Sequence, residues 1–215
     1  MKIVITCGPG SEPIDEVRRI TNFSSGELGV LLANHMARAG VEVICLKGVG
    51  ATCTERLTGI RVVPFATNDH LRSALEEIED RSSVTAVFHA AALCDYRVKS
   101  IRTSDGTSVA ATKIPSRAGE LTLTLEPVPK LIAELRELFP ASRIVGWKYE
   151  LTGSRADVLA AAIRQFSECR SDACVMNGAA YGAGFGFLEP QKKPVHLPDK
   201  QALCAHLALW LKTPA

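Results

Sequence analysis

The sequence predicts a doubly wound, mainly parallel α/β sheet. Short apolar runs alternate with helical periodicities along most of the 215 residues, and the links between them are short. Ala86-Val-Phe-His-Ala-Ala91 is nearly uninterrupted in its apolar character, as a strand covered on both faces must be. In chain order, Met1 to Thr6 reads as the first strand, and Cys7 to Asp15 as a turn-rich loop. From Leu28 to Arg38 apolar side chains recur at helical spacing, and Gly40 follows where a helix-ending glycine belongs. Strands are expected at Val41 to Leu46 and Ile60 to Pro64, then an amphipathic helix from Thr67 to Glu79 that Thr67 or Asn68 can cap. After the fourth strand the rhythm breaks. Asp95 to Glu120 is polar, and Ser108 to Ile114 and Glu120 to Leu125 are two short alternating stretches that predict a hairpin or flap at about 95–125. Alternation returns with a helix from Val128 to Phe139, a strand from Arg143 to Tyr149, a helix from Ser154 to Glu168 and a strand from Ala173 to Met176. A glycine-rich and then hairpin-like segment, Asn177 to Leu197, leads to a last helix at about Lys200 to Leu211.

With 47% apolar residues the chain can bury one core, and residues 1–215 are read as a single domain. A net charge of +2 with scattered basic residues gives no case for a nucleic-acid partner. The seven cysteines are odd in number, widely spaced and lack a Cys-x-x-Cys pair, which speaks against a disulfide framework and a zinc site and for reduced thiols in the cytoplasm. Neither a leader segment nor a membrane-spanning run is expected, because no apolar stretch approaches the roughly 18 residues that a span requires.

The chemistry concentrates in Asn22-Phe-Ser-Ser-Gly-Glu-Leu-Gly29, which sets an amide, two hydroxyls and two glycines before an apolar helix. A helix start offers unpaired N–H groups and the positive end of a dipole, so Ser24, Ser25 and Gly26 suit a phosphate; they suit ordinary capping and close packing equally. Asn22 beside that helix end can hold an acyl or phosphoryl oxygen, or form an Asx turn. Asp95 follows the fourth strand, at the sheet edge where α/β ligands bind. Lys113 sits in the flap, where a mobile lysine can close over phosphates or simply stay solvated. Gly8 and Gly10 begin a dinucleotide fingerprint, but Pro13 stands where its third glycine belongs, and the second strand ends in Leu46-Lys47-Gly48 without an acidic residue. Neither Tyr96 nor Tyr149 has a lysine four residues on, so an NAD(P)-dependent reductase is a disfavoured rival. The histidines at 35, 70, 89, 196 and 206 show no ligand spacing and read as core or surface, and Cys94 lacks a histidine partner for covalent work. Trp147 closes a buried strand, where it packs or stacks on a base.

Together these residues resemble the phosphopantothenate–cysteine ligase (phosphopantothenoylcysteine synthetase) family over about residues 1 to 197. Gly8-Pro-Gly-Ser-Glu-Pro-Ile-Asp15, followed by Val17-Arg-Arg-Ile-Thr-Asn22 and Phe23-Ser-Ser-Gly-Glu-Leu-Gly29, is similar to the family's opening signature. Ala90-Ala-Ala-Leu-Cys-Asp-Tyr-Arg97, Lys113-Ile114, Ile144-Val-Gly-Trp-Lys-Tyr-Glu-Leu151 and Asp172-Ala-Cys-Val-Met-Asn177 are similar to its later motifs. The resemblance implies a Rossmann-like domain in which Asn22 holds an acyl-nucleotide and Lys113 closes with the flap. It also implies that Ala90, Ala91, Asp95, Lys130 and Trp147 face the nucleotide, with Arg170 near its phosphates. The implied reaction joins 4′-phosphopantothenate to cysteine at the expense of CTP or ATP, with Mg²⁺ and in a homodimer built partly by the flap. Metal ligands are not assigned. Bacterial members often follow a flavin-containing decarboxylase domain that has no counterpart in this sequence, so a stand-alone form without FMN is implied. Lys113-Ile-Pro115 lacks further lysines, and Val128-Pro-Lys130 and Trp147-Lys-Tyr-Glu150 are similar to the eukaryotic branch, which leaves the nucleotide open. Trp147, Cys94 and Pro115 depart from the common pattern, so a non-catalytic nucleotide-binding homologue is a further alternative.

Overall fold

The computed structural model describes residues 1–109 and 112–213. In chain order the elements are β1 (Lys2–Cys7), β2 (Ser11–Pro13), β3 (Arg19–Thr21), α1 (Glu27–Arg38), β4 (Glu42–Gly48), β5 (Arg61–Phe65), α2 (Asn68–Glu76), β6 (Val84–His89), β7 (Tyr96–Thr103) and β8 (Leu121–Pro127). They continue with α3 (Leu131–Leu138), β9 (Arg143–Tyr149), α4 (Arg155–Cys169), β10 (Ala173–Asn177), β11 (Phe185–Leu188), β12 (Val195–Leu197) and α5 (Lys200–Lys212). Eight strands form one sheet in the order β12-β11-β10-β9-β6-β1-β4-β5. Pairing is parallel from β10 through β5, and β11 and β12 add an antiparallel edge.

The two faces follow from alternation along the strands. Ile3, Ile5, Phe88, Val145 and Val175 pack with Val30 and Met36 of α1 and with Leu203 and Leu207 of α5. Val4, Ile44, Val87 and Ile144 pack on the other face with Leu71 and Leu75 of α2 and Leu135 of α3. Beyond them, Val158 and Ala162 of α4 cover Cys174 and Met176. The chain moves outward from β1 to β4 and β5, then returns to place β6 on the other flank of β1. That reversal opens a crevice at the carboxyl ends of β1 and β6, the usual ligand position in such sheets.

Several local expectations shift. The turn-rich loop after β1 contains the antiparallel pair β2–β3, so α1 does not begin until Glu27. α3 starts at Leu131 rather than Val128, since Pro129 disfavours helical backbone at the residue before it. α2 is capped by Thr67, whose hydroxyl accepts the His70 N–H at 3.1 Å, because the Asn68 carboxamide is engaged with the backbone of Cys94. Thr67→Ala should cost about 1 kcal/mol of stability, readable as a melting-temperature drop of about 2–4 °C.

The flap is also built differently. Its strands are β7 and β8, and the expected Ser108 to Ile114 strand gives way to a single bridge from Ser108 to Arg102; Ala110 and Ala111 of that stretch lie outside the described residues. A register shift between Val98 and Ser100 breaks the two-residue period in β7, so Ile101 turns inward and the strand's alternation is hidden in the sequence. The seven cysteines stand as free thiols, six of them buried. No helix among the described residues is long and apolar enough to cross a membrane.

Candidate functional site

A cavity of about 980 Å³ lies at the carboxyl edge, between the start of α1, the loop after β6, the start of α3 and the end of β9. It is at the upper end of the range for small-molecule sites, so it has room for a nucleotide and part of a second ligand. One wall is the loop from Asn22 to Gly29. Gly26 begins α1 in a left-handed conformation with φ of 74° and no side-chain cap. Gly29 touches β1 so closely that any Cβ there would lie 2.2 Å from the Cys7 Cβ. Asn22 is exposed, and its amide Nδ2 donates to the Leu93 carbonyl at 2.7 Å, which leaves its second N–H and its oxygen for a ligand.

The opposite wall is the loop after β6. Ala90 N donates to Thr6 O at 3.0 Å, Ala92 N donates to Gly8 O at 2.9 Å, and the Asn68 carboxamide pairs with both Cys94 N and Cys94 O. These bonds hold Ala90 and Ala91 against the cavity and leave Asp95 exposed at its rim, where Lys130 Nζ is 3.9 Å from Asp95 Oδ1. Glu27 pairs with Lys200 at 2.5 Å across the mouth. Three lysines (130, 148, 200) and three carboxylates (27, 95, 150) line the space. The charges balance, so a triphosphate entering here needs added cations.

Of the residues singled out in the sequence, Asn22, Ser24, Ser25, Gly26, Ala90, Ala91, Asp95, Lys130 and Trp147 line this cavity. The others stand elsewhere. Gly8 and Gly10 lie behind the wall, where their backbones bond to Ala92, and the β2–β3 pair intervenes before any helix, so no dinucleotide turn forms. Arg170 is a correction: it caps the carboxyl end of α4 at the opposite edge of the sheet and pairs with Glu137 at 3.2 Å. A residue just before a parallel strand emerges at its amino end, a strand length from the site.

Lys113 is exposed on the flap and does not line the cavity. Its neighbours are held to the Asp15 turn. Asp15 Oδ2 accepts the Ile114 N–H at 3.1 Å, Oδ1 accepts the Val17 and Arg18 N–H groups, and Arg18 donates to Ile114 O at 2.5 Å. The Ile114 hydrogen bond is the main reason that the Asp15 carboxyl titrates below the ordinary range. A carboxylate so depressed stabilises the docked segment fully above its unfolded pKa of about 3.9, and the contribution is lost as pH falls through the lower folded value. At neutral pH, Asp15→Ala should speed amide exchange at Ile114 about tenfold, with the central strands unaffected. Unchanged exchange there would show that Asp15 does not hold the flap base.

Several cavity residues escaped sequence reasoning. Glu27 and Lys148 stand inside motifs whose chemistry pointed to their neighbours, Lys200 and Gln165 lie in no motif, and His89 reads from the sequence as a core or surface histidine. Only the position of His89 at a strand's carboxyl end could have marked it. Trp147 Nε1, Gln165 Oε1 and Asn177 Oδ1 are buried around the cavity without hydrogen-bond partners. Cys94 is buried, and burial pushes its thiol up, so it is a poor nucleophile.

No group of three metal-ligating side chains occurs among the described residues. Mg²⁺ on a nucleotide needs fewer, because phosphate oxygens and waters supply most of its ligands. Glu27, Asp95 and Glu150 are the cavity carboxylates that could complete such a set.

An open α/β sheet with a nucleotide-sized cavity at its switch point defines the general class. Residues 1–210 match the model of the DNA/pantothenate metabolism flavoprotein C-terminal domain, and the chain belongs to that family. It is 33% identical over 176 residues to the coenzyme A biosynthesis bifunctional protein CoaBC of Thermococcus kodakarensis, an alignment that covers 82% of this chain and 41% of that protein. The chain spans less than half the length of the curated relatives it matches. Its fold is like that of the DNA/pantothenate metabolism flavoprotein from Streptococcus pneumoniae, with a TM-score of 0.84 and 22% identity over 99% of this chain and 98% of that one. It is also like a Cab2 mutant in complex with phosphopantothenate-cysteine, with a TM-score of 0.74 and 18% identity over 97% and 85% of the two chains.

Proposed function

We propose that this chain is a phosphopantothenate–cysteine ligase, which joins 4′-phosphopantothenate to cysteine through an acyl-nucleotide made from CTP or ATP. The observation that carries the reading is the single cavity shared by Asn22, the start of α1 and the Ala90–Asp95 loop, in a member of a family whose relatives are named for coenzyme A biosynthesis. In the first step a carboxylate oxygen of phosphopantothenate attacks the α-phosphorus, a new P–O bond forms, and the bond to pyrophosphate breaks. The cysteine amine then attacks the acyl carbon, the nucleoside monophosphate leaves, and the ammonium proton is lost. Both steps need alignment and charge stabilisation rather than a protein nucleophile.

Asn22, with one N–H committed to Leu93 O and one free, is suited to the oxygen of the mixed anhydride. Gly26 and the first turn of α1 suit phosphate oxygens, and Trp147 flanks the space for a base. Lys113, swinging in from the flap, adds the positive charge that the balanced cavity lacks. Mg²⁺ on the triphosphate supplies the rest by neutralising charge on the phosphates. The flap exposes Tyr96 and Leu125, which suits it to bury against a second copy in a homodimer. A cytosolic location goes with this reading, and FMN has no part in it. The test is pyrophosphate release, which must require both phosphopantothenate and a triphosphate, followed by cysteine-dependent amide formation. Release that ignores phosphopantothenate would falsify the proposal, and tight NADPH binding would favour the reductase.

A further inference from the structure

Glu27 is the first residue of α1 and Lys200 the first of α5, and the two side chains meet where both helices start. Leu203 and Leu207 are buried in the core beneath α1, and Lys200 stands three and seven residues before them, on the same stripe of α5. The stripe that packs α5 beside α1 thus carries Lys200 to the first turn of α1, where its Nζ lies 2.5 Å from Glu27 Oε2. Both residues line the cavity. Their side chains keep 36% (Lys200) and 46% (Glu27) of their surface accessible, so each can meet a ligand there.

The electrostatics of this corner are one-sided. Each helix start presents the positive end of a dipole, so the first residue of a helix is a poor place for a lysine. α5 meets its own start with Asp199, whose Oδ1 accepts the Ala202 N–H at 2.8 Å. α1 has no such cap. Gly26 brings no side chain, the first bond of the helix runs from Val30 N–H to Gly26 O at 3.1 Å, and the Leu28 and Gly29 N–H groups find no acceptor among the described residues. Two positive helix ends and an ammonium therefore face the Glu27 carboxylate, while Asp199 is engaged on its own helix. A half-exposed ion pair is weakly held, and a phosphate of higher charge competes well for the same ammonium.

We propose that Lys200 leaves Glu27 for the two outer phosphates of the triphosphate and stabilises the departing pyrophosphate. This rests on the ligase reading above. When the phosphopantothenate carboxylate attacks the α-phosphorus, the bond from that phosphorus to the bridging oxygen breaks, and its electron pair stays on pyrophosphate. The Lys200 ammonium meets the growing charge and keeps its own proton throughout. Glu27 is an anion in the same place, so it opposes phosphate binding while it holds Lys200 at the site. A mere brace between α1 and α5 responds alike to the loss of either partner. An exchange responds with opposite signs.

Calorimetric titration with inorganic pyrophosphate, CTP, ATP, CMP and AMP, in EDTA so that no metal ligand role of Glu27 enters, separates the two. Lys200→Met should weaken pyrophosphate and the better-bound triphosphate by about tenfold or more, with the monophosphates changed less than about threefold. Lys200→Arg should recover most of that loss, and Glu27→Gln should tighten pyrophosphate by about threefold. Weaker pyrophosphate binding in both Lys200→Met and Glu27→Gln, equal losses for mono- and triphosphates, or no pyrophosphate binding by the parent would overturn the proposal. Should the variants not fold, carbon NMR of the Glu27 carboxyl in the parent decides, since a signal that stays fixed as pyrophosphate is added contradicts the exchange. Opposite effects of the two substitutions without phosphopantothenate-dependent pyrophosphate release sink the ligase reading alone. Release by Lys200→Met at the parent's rate sinks the role of Lys200 alone.

Discussion

Asn22→Asp is expected to lower the rate of phosphopantothenate-dependent coupling by about 100-fold or more while leaving the melting temperature nearly unchanged. The substitution keeps the size of the side chain and removes its two N–H donors. One of these bonds to Leu93 O at 2.7 Å, and the other is free to meet an anhydride oxygen. The new carboxylate also places negative charge where phosphates must come, against the positive end of α1. Losing one well-placed donor to a developing negative charge costs about 10²- to 10³-fold in rate. Because Asn22 is exposed, little stability depends on it. Lys113→Ala makes the useful contrast: turnover should fall more than nucleotide affinity, since the lysine reaches the phosphates only when the flap moves. Parent-like kinetics in both variants would remove these two residues from the site.

Gly29→Ala should be among the most damaging single methyl groups in the domain. The added Cβ would lie 2.2 Å from Cys7 Cβ and 3.2 Å from Cys7 Sγ. Cys7 Cβ is fixed to the backbone of β1, so no rotamer change relieves the clash and α1 must lift from the sheet. Overpacking of this kind costs about 3 kcal/mol at the upper end of its usual range, or a melting-temperature drop of about 6–12 °C in a chain of this size. Nucleotide affinity should fall with it, since Cys7 and the start of α1 both line the cavity. Cys7→Ala added to the variant should rescue nothing, because alanine keeps the Cβ, whereas Cys7→Gly should restore part of the loss. A Gly29→Ala protein as stable as its parent would mean that α1 and β1 are farther apart than described.

Strands β1, β4, β5, β6, β9 and β10 and all five helices were legible because their signals are local. A run such as Ile3-Val4-Ile5 and a helical stripe such as Leu28, Leu32 and Met36 need no distant residue to be read. β7 was not, because its register shift hides the alternation, and its partner begins at Leu121. The site divides in the same way. Asn22, Ser24 to Gly26 and Ala90 to Asp95 lie within contiguous motifs that announce themselves. Arg170 misled because it is near Asp172 in sequence yet emerges at the amino edge. Gln165 and Lys200 gave no sign, since each enters the cavity from a helix whose own pattern only records packing.

The order of residues along this chain determined by itself the type and approximate place of the main strands and helices and which side of each is apolar, because backbone preference and side-chain periodicity act over a few neighbours. Only the tertiary structure decided that β6 lies beside β1 and that the sheet reverses there. Strand pairing joins segments about eighty residues apart, as Ile3 to Ala86, and is settled by burying both faces of the sheet at once. That choice brings residue 22 to residue 93, and Gln165 against Gly146, and so makes one cavity from pieces that are separate in the sequence.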